Sequence, residues 1–308
     1  MSKPTIAIYG IKDRNFFEYP AYVHDHNLCV MQDGKILQYL QLERYSRRKY
    51  DNRLDWYIED LIDKKIIDCP KDFDLVCVND FVGNAFVSQN GRLRFVAVFL
   101  EMQKGNEIKL QLPYLCNVGL QDCSYEVSSE EIKRTAELLM QHKIVGVCNG
   151  AAEIGPRALG NRSLIALADS REVARKLSMD VKKREWYRPV APIVLLENAH
   201  KVAEEEVRSL SRFMLMDFTV REEYRKKIAG VVHANNTARI QTLSCEEENP
   251  FMFRLLSYLY EKYGVLALVN TSFNAKGEPI VHTAVQALES AQKMKIDGVV
   301  INGKLHTL

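Results

Sequence analysis

SSEEIKRTAELLMQHKIVGVCNG, residues 128–150, passes from one periodicity to another within a single short stretch. Ser128-Ser129-Glu130-Glu131 has the spacing of a capping box, a hydroxyl followed three residues later by a carboxylate. IKRTAELLMQH then repeats apolar residues at helical spacing, and KIVGVC is a short continuous apolar run of the kind found in buried strands. A helix that leads directly into a buried strand points to an α/β sheet. The alternation continues downstream. Asn249-Pro250 opens a helical stretch, FMFRLLSYLYEKY, which Gly264 ends. VLALVN reads as a strand, TAVQALESAQKMK as a helix and DGVVING as a strand, so a mixed, twisted sheet is expected. Upstream, TIAIYGI is a strand. HNLCVMQDGKILQYLQLE is a hairpin turning at Asp33-Gly34, and RRKYDNRLDWYIEDLIDKKI is helical. FDLVCV is a strand, and FVSQNGRLRFVAV is a second hairpin around Asn90-Gly91. From about Phe99 to Cys123 no period is visible. That predicts two domains, residues 1–112 and 113–308.

The chain has 308 residues, 47% of them hydrophobic, and carries 42 Lys and Arg against 40 Asp and Glu, a formal net charge of +2. This is the balance of an ordinary globular protein, without the charge excess that marks tight nucleic-acid binders. The seven cysteines are odd in number, widely spaced and free of any CxxC pair. They read as reduced thiols packed as small hydrophobes. No run reaches membrane-spanning length and no signal-peptide pattern opens the chain, so a cytoplasmic protein is expected.

Four stretches place Arg, Lys, Thr, Ser and Asn beside apolar runs: GPRALGNRS (155–163), KKREWYRP (182–189), NNTARIQT (235–242) and NTSFNAKGEP (270–279). The first lies within EIGPRALGNRSLIALAD (153–169), which reads as a polar loop framed by glycine and proline, with Gly155 and Gly160 allowing tight turns. As a set they offer no nucleophile with a base and no carboxylate cluster. They offer guanidinium forks, hydroxyls and amides, which suit phosphate or carboxylate recognition and catalysis by positioning and charge neutralisation. Any one of these arginines could instead form a surface ion pair of little energetic weight. Recurrence in four stretches favours a common site, expected beyond the carboxyl ends of the strands.

The strings EIGPRALGNRSL, KKREWYRPVAPIVL, VVHANNTARIQT and LVNTSFNAKGEPIV resemble, in order, those of the NodU/CmcH-type carbamoyltransferase family, over roughly residues 144–305. YGIKDRN, HDHNLCVMQDGKILQYLQLERYSRRKYD and FDLVCVND resemble the start of the family's first domain. The resemblance implies a YrdC-like C-terminal domain following a shortened actin-like (RNase H-type) N-terminal α/β region. It implies an ATP-dependent O-carbamoyltransferase that makes carbamoyl adenylate from carbamoyl phosphate and ATP, with magnesium, and passes the carbamoyl group to an acceptor hydroxyl. On the matching motifs, Lys183, Arg184 and Arg188 would meet the nucleotide's phosphates. Thr237, Thr271, Ser272 and Asn274 would serve nucleotide or magnesium contacts. Arg157, Arg162, Arg239 and Asn270 would hold carbamoyl phosphate or neutralise the leaving phosphate.

The sequence also departs from the family. The His-x-x-x-His motif, which holds iron in complete members, is absent, as is the middle of the first domain. NGAAE, with Ala151, stands where an arginine-bearing turn is usual. His24 and His26 are the remaining metal candidates, against the alternative of two solvated or hydrogen-bonded histidines. The short first domain is compatible with a natural compact form or an internal deletion. A partial, non-catalytic nucleotide-binding protein is therefore the competing reading. The acceptor is expected to be a small molecule bearing a hydroxyl. A modified nucleobase in DNA is the lesser option, suggested by Arg44, Arg47, Arg48, Lys49 and Arg53, and a homodimer is an open option.

Overall fold

The computed structural model describes residues 3–9, 26–33, 35–49, 51, 54–67, 74–78, 125–153, 157–185, 188–207 and 209–308. The hairpin expected at Asn90-Gly91, the boundary expected at residues 112–113, Gly155 and His24 lie outside these residues. Two compact units are present, one formed by residues 1–123, 151–156 and 277–279, the other by 124–150, 157–276 and 280–308.

In the first unit, β1 (Thr5–Tyr9), β2 (Asn27–Gln32) and β3 (Lys35–Gln41) pair antiparallel in sequence. The hairpin turns at Asp33, whose φ of 47° is the left-handed conformation that Asp tolerates. α1 (Leu42–Ser46) and α2 (Leu54–Asp63) follow, and β4 (Asp74–Val78) returns parallel to β1, giving the order β3-β2-β1-β4. Ile6, Leu28, Val30, Leu40, Leu54 and Leu61 form its core.

The second unit opens with α3 (Ser129–Met140) and β5 (Val145–Cys148). Ser128 caps α3 by accepting from the Glu130 N–H at 3.2 Å. Glu131 does not complete the expected capping box. Its carboxylate accepts from Arg134 at 2.9 Å and from the Leu305 N–H at 2.8 Å, so it joins the helix to the last strand. Next come β6 (Arg162–Leu167), α4 (Arg171–Arg175), which continues as a π-helical segment Lys176–Val181, β7 (Ala191–Leu195) and α5 (Leu196–Val202). β8 (Phe218–Thr219), α6 (Glu222–Arg225), β9 (Thr237–Ala238) and β10 (Gln241–Leu243) lead to α7 (Pro250–Tyr263). β11 (Leu268–Ser272), α8 (Ala284–Met294), β12 (Gly298–Ile301) and β13 (Lys304–Thr307) complete the unit. Seven strands form one mixed sheet in the order β10-β7-β11-β6-β5-β12-β13, the α/β architecture expected.

Both sheet faces are covered, and strand alternation distributes the apolar residues between them. Val145, Val147, Ile165, Leu167, Ile193 and Leu268 face α3 and α7. Leu164, Ala166, Val194, Val269 and Val299 face the layer containing α4, α5 and α8. Two-sided burial explains why β6 is not a loop, as 153–169 read from sequence. RSLIAL is buried at every position and sits in the middle of the sheet. Gly146 on β5 makes room for Phe273, which is fully buried. A Cβ at 146 would lie 2.5 Å from the phenyl Cε1. Phe273 in turn ties down the chain beyond β11, since its N–H donates to the Arg162 carbonyl at 2.9 Å and its carbonyl accepts from the Val281 N–H at 2.9 Å. Gly146→Ala is expected to destabilise by about 1–3 kcal/mol through overpacking, read as a lowered urea midpoint at constant slope. An unchanged midpoint would refute this packing account.

Candidate functional site

The mixed sheet gathers the described second-unit parts of the four polar stretches, residues 157–163, 182–185 with 188–189, 235–242 and 270–276, at one edge. Cys148 pairs with Arg162, Ser163 with Ser272, Asn270 with Ala191, and Gln241 with Ile193. The end of β5, the start of β6, the end of β11 and the starts of β7 and β10 therefore lie side by side. This refines the expected placement. The stretches after β5 and within β11 lie at carboxyl ends, whereas 182–189 and 235–242 precede β7 and β10 and arrive at amino ends, because neighbouring strands run in opposite directions.

Lys182 is the centre of the contacts at this edge. It is 2% exposed, and its ammonium donates to Ser272 Oγ at 3.1 Å, to Asn274 Oδ1 at 2.9 Å and to the Asn274 carbonyl at 3.2 Å, as well as to the Ser272 carbonyl. Arg184 Nη2 also donates to Ser272 Oγ, at 3.3 Å, and that hydroxyl donates to Asn274 Oδ1 at 2.7 Å. Lys183 lies between them with a left-handed φ of 50° and is exposed. The turn it makes brings both its neighbours onto Ser272. The motif resemblance points to Lys183, whereas Lys182 is the lysine that turns inward; in a KKR run only this backbone conformation distinguishes the two.

Around Arg184 stand three more guanidinium groups. Burial, together with the charges of Arg188, Arg157 and Arg239 and against the pull of Glu185, brings Arg184 down to about 10. Burial and Arg239 lower Arg157 in the same sense. Glu185 is paired with Arg188 at 2.8 Å. Arg239 contributes a buried Nε with no hydrogen-bond partner among the described residues. Positive groups held together against their mutual repulsion, one with an unmatched buried donor, fit an anion with several oxygens. Sulfate, a dianion throughout the range, is expected to bind most tightly near pH 8 and to weaken progressively as pH rises through about 10 and Arg184 loses its proton. Titration calorimetry across that range checks this, and a loss already complete at pH 8 would contradict it.

The other residues singled out from sequence fall in different places. Thr237 accepts and donates around His233 and Asn235, next to Arg239. Thr271 is buried opposite Leu164, one residue before Ser272 and on the other face of the strand. Asn270 is buried, and its Nδ2 donates to the Ala158 carbonyl at 3.1 Å and to Gln241 Oε1 at 2.5 Å, while Gln241 Nε2 holds the Leu159 carbonyl at 2.8 Å. These two amides fasten the loop that carries Arg157. Gly160 shapes the same loop with a φ of 119°, and a Cβ there would lie 2.6 Å from Asn249 Nδ2. Arg162 is fully buried and donates to the backbone carbonyls of Asn149, Gly150, Asn161 and His282.

A magnesium ion held by Ser272 and Asn274 does not fit the arrangement, since the Lys182 ammonium already occupies the space between their oxygens. In the first unit, His26 is 5% exposed and its Nδ1 accepts from the Leu54 N–H at 3.4 Å, at the start of α2. Among the described residues no group of three or more His, Cys, Asp or Glu side chains is placed to hold a metal. Of the basic run near Arg44, Arg53 lies outside the described residues, and the described members do not share one environment. Arg44 is fully buried, Arg47 donates to the Pro279 carbonyl at 3.2 Å, and Arg48 and Lys49 are exposed. Among the described residues no helix is long and apolar enough to cross a membrane.

Residues 136–307 match the family model described as carbamoyltransferase C-terminus. Similar proteins include nodulation protein NolNO of Sinorhizobium fredii, 39% identical over 175 residues (56% of this chain and 25% of that protein). Nodulation protein U of Azorhizobium caulinodans is 38% identical over 157 residues, 51% of this chain and 27% of that protein. Nodulation protein NolO of Bradyrhizobium diazoefficiens is 32% identical over 212 residues, 68% of this chain and 38% of that protein. The chain thus spans between 25% and 38% of the length of these relatives. Among solved structures, full-length HypF in its phosphate- and nucleotide-bound form aligns with a TM-score of 0.41 and 23% identity, over 56% of this chain and 25% of that one. P. abyssi Sua5 complexed with L-threonine aligns with a TM-score of 0.42 and 16% identity, over 58% of this chain and 48% of that one.

Proposed function

The chain belongs to the carbamoyltransferase C-terminus family, and we propose that its second unit forms carbamoyl adenylate from carbamoyl phosphate and ATP. The observation behind this reading is the convergence of Lys182, Arg157, Arg184, Arg188 and Arg239 with Ser272 and Asn274 at one sheet edge. A carbamate oxygen attacks the α-phosphorus of ATP and the bond to the β-phosphate breaks. Counting the release of carbamate from carbamoyl phosphate, one water is consumed and phosphate and pyrophosphate leave. Every species handled carries phosphate or carboxylate charge, and charge builds on the departing pyrophosphate. Fixed guanidinium groups stabilise that charge without reorganising at the moment of reaction. In this reading Arg157, Arg184, Arg188 and Arg239 meet the phosphates. Lys182 fixes the Ser272–Asn274 turn, and Asn270 and Arg162 position the loops. Magnesium, where required, would arrive on the nucleotide's own oxygens. Transfer to a hydroxyl acceptor follows in the same proposal, with the acceptor a small molecule.

The test is exchange of labelled pyrophosphate into ATP by the full chain. Exchange that depends on carbamoyl phosphate is expected. ATP binding without exchange would favour a nucleotide-binding protein without adenylate chemistry, and binding of neither ATP nor carbamoyl phosphate would overturn the reading.

A further inference from the structure

His233 lies on the wall of a cleft of about 550 Å³ in the second unit, whose lining includes Arg171, Arg175 and Arg188 along with the apolar Val190 and Val231. Its hydrogen bonds determine which ring nitrogen holds the proton. The Thr237 N–H donates to the Asn235 side chain at 3.4 Å, so the atom facing it is the oxygen, Oδ1. The Thr237 hydroxyl lies 2.8 Å from that same oxygen and donates its single proton there. Towards His233 Nδ1, 3.1 Å away, the hydroxyl can then only accept. Nδ1 therefore bears the hydrogen, and in the neutral ring Nε2 is a bare acceptor. Burial and the charge of Arg239 keep His233 below the ordinary histidine range, against the opposing pull of Asp217, so the ring is neutral at physiological pH. Nε2 has no hydrogen-bond partner among the described residues. An acceptor on the wall of a cleft that also carries Arg171, Arg175 and Arg188 among mostly apolar neighbours fits a ligand that is anionic at one end and offers an N–H or O–H at the other.

We propose that His233 Nε2 accepts from the –NH2 of a carbamoyl group whose phosphate is held by Arg188, the arginine that this cleft shares with the group around Arg184, and so distinguishes carbamoyl from acyl phosphates. This rests on the donor assigned under Proposed function. A methyl group in place of the amine would leave Nε2 facing C–H, stripped of water and without a bond.

The experiment uses two stable phosphonates that differ only there, phosphonoacetamide and acetonylphosphonate, together with inorganic phosphate. Each is titrated calorimetrically into the full chain. The native protein is expected to bind the amide roughly five- to tenfold more tightly than the ketone, the gain of one net hydrogen bond. His233→Phe is expected to bind the two equally, with phosphate affinity unchanged. Thr237→Val, which removes the acceptor that orders the ring, is expected to shrink the preference and provides the same test should His233→Phe fail to fold. Phosphate binding with no preference in the native protein, or a preference that survives in both variants, overturns the assignment of His233 while leaving the anion site intact. Failure of the native protein to bind phosphate or either phosphonate overturns the assignment of His233, while the adenylate reading is decided separately by the pyrophosphate exchange.

Discussion

Lys182→Met is expected to weaken pyrophosphate binding by about 10- to 100-fold, the range for loss of a charge-assisted hydrogen bond, while Lys183→Met changes it by less than about twofold, as for an exposed surface charge. The ammonium of Lys182 holds two side-chain oxygens and two carbonyls of the Ser272–Asn274 turn. A methionine of similar length fills the space and leaves those oxygens without their donor. Ser272 Oγ, the atom on which Arg184 rests, then loses its fixed position. The effect should appear as reduced affinity in titration calorimetry, with carbamoyl-phosphate-dependent exchange falling in parallel. Near-ultraviolet circular dichroism separates this from unfolding, since a folded variant keeps the native signal. A larger loss in Lys183→Met than in Lys182→Met would show that the exposed lysine is the one that meets the anion.

This pair shows where sequence reasoning reached and where it stopped. That the basic residues lie beside Ser and Asn was legible from residue types, because four stretches repeat the same guanidinium, hydroxyl and amide groups. Which lysine turns inward was not, since it depends on the π-helical segment ending at Val181 and the left-handed backbone at Lys183. The elements with strong periodicity were legible for a simple reason. β5, α7 and β11 bury apolar residues at regular spacing, and Asn249 and Gly264 mark the ends of α7 by hydrogen bonding and by a φ of 68°. β6 was hidden because its first residue is an arginine, and the polarity of Arg162 is cancelled by backbone carbonyls, three of the four from residues 12 or more away in sequence. His233 was hidden in the same way. Its proton is assigned by Thr237 and Asn235, and no residue type announces that relay. Glu131 and His26 show the converse, local patterns redirected by tertiary partners: one to the Leu305 N–H, the other to the Leu54 N–H.

Arg162 is the residue whose expected role changes most, and its substitution should decide between two accounts. Its Nε donates to the His282 carbonyl at 2.9 Å, Nη1 to those of Asn149 at 2.7 Å and Asn161 at 2.9 Å, and Nη2 to that of Gly150 at 2.9 Å. One planar cation thus joins the end of β5, the loop before β6 and the approach to α8, all without exposure to water. Arg162→Met keeps the stem and removes every donor, leaving buried carbonyls unmatched. A loss of about 3–5 kcal/mol is expected, a large part of the 5–15 kcal/mol typical of a folded domain. Arg162→Lys should recover little of it, because one nitrogen cannot span carbonyls that a guanidinium reaches from three. Urea denaturation measures both. The motif resemblance suggests a different outcome, in which Arg162 contacts the phosphate itself. In that case Arg162→Met would unfold at nearly the native urea concentration yet lose anion binding. The geometry supports the first result: affinity should fail only because the edge that presents Arg157, Arg184 and Arg239 is no longer held together.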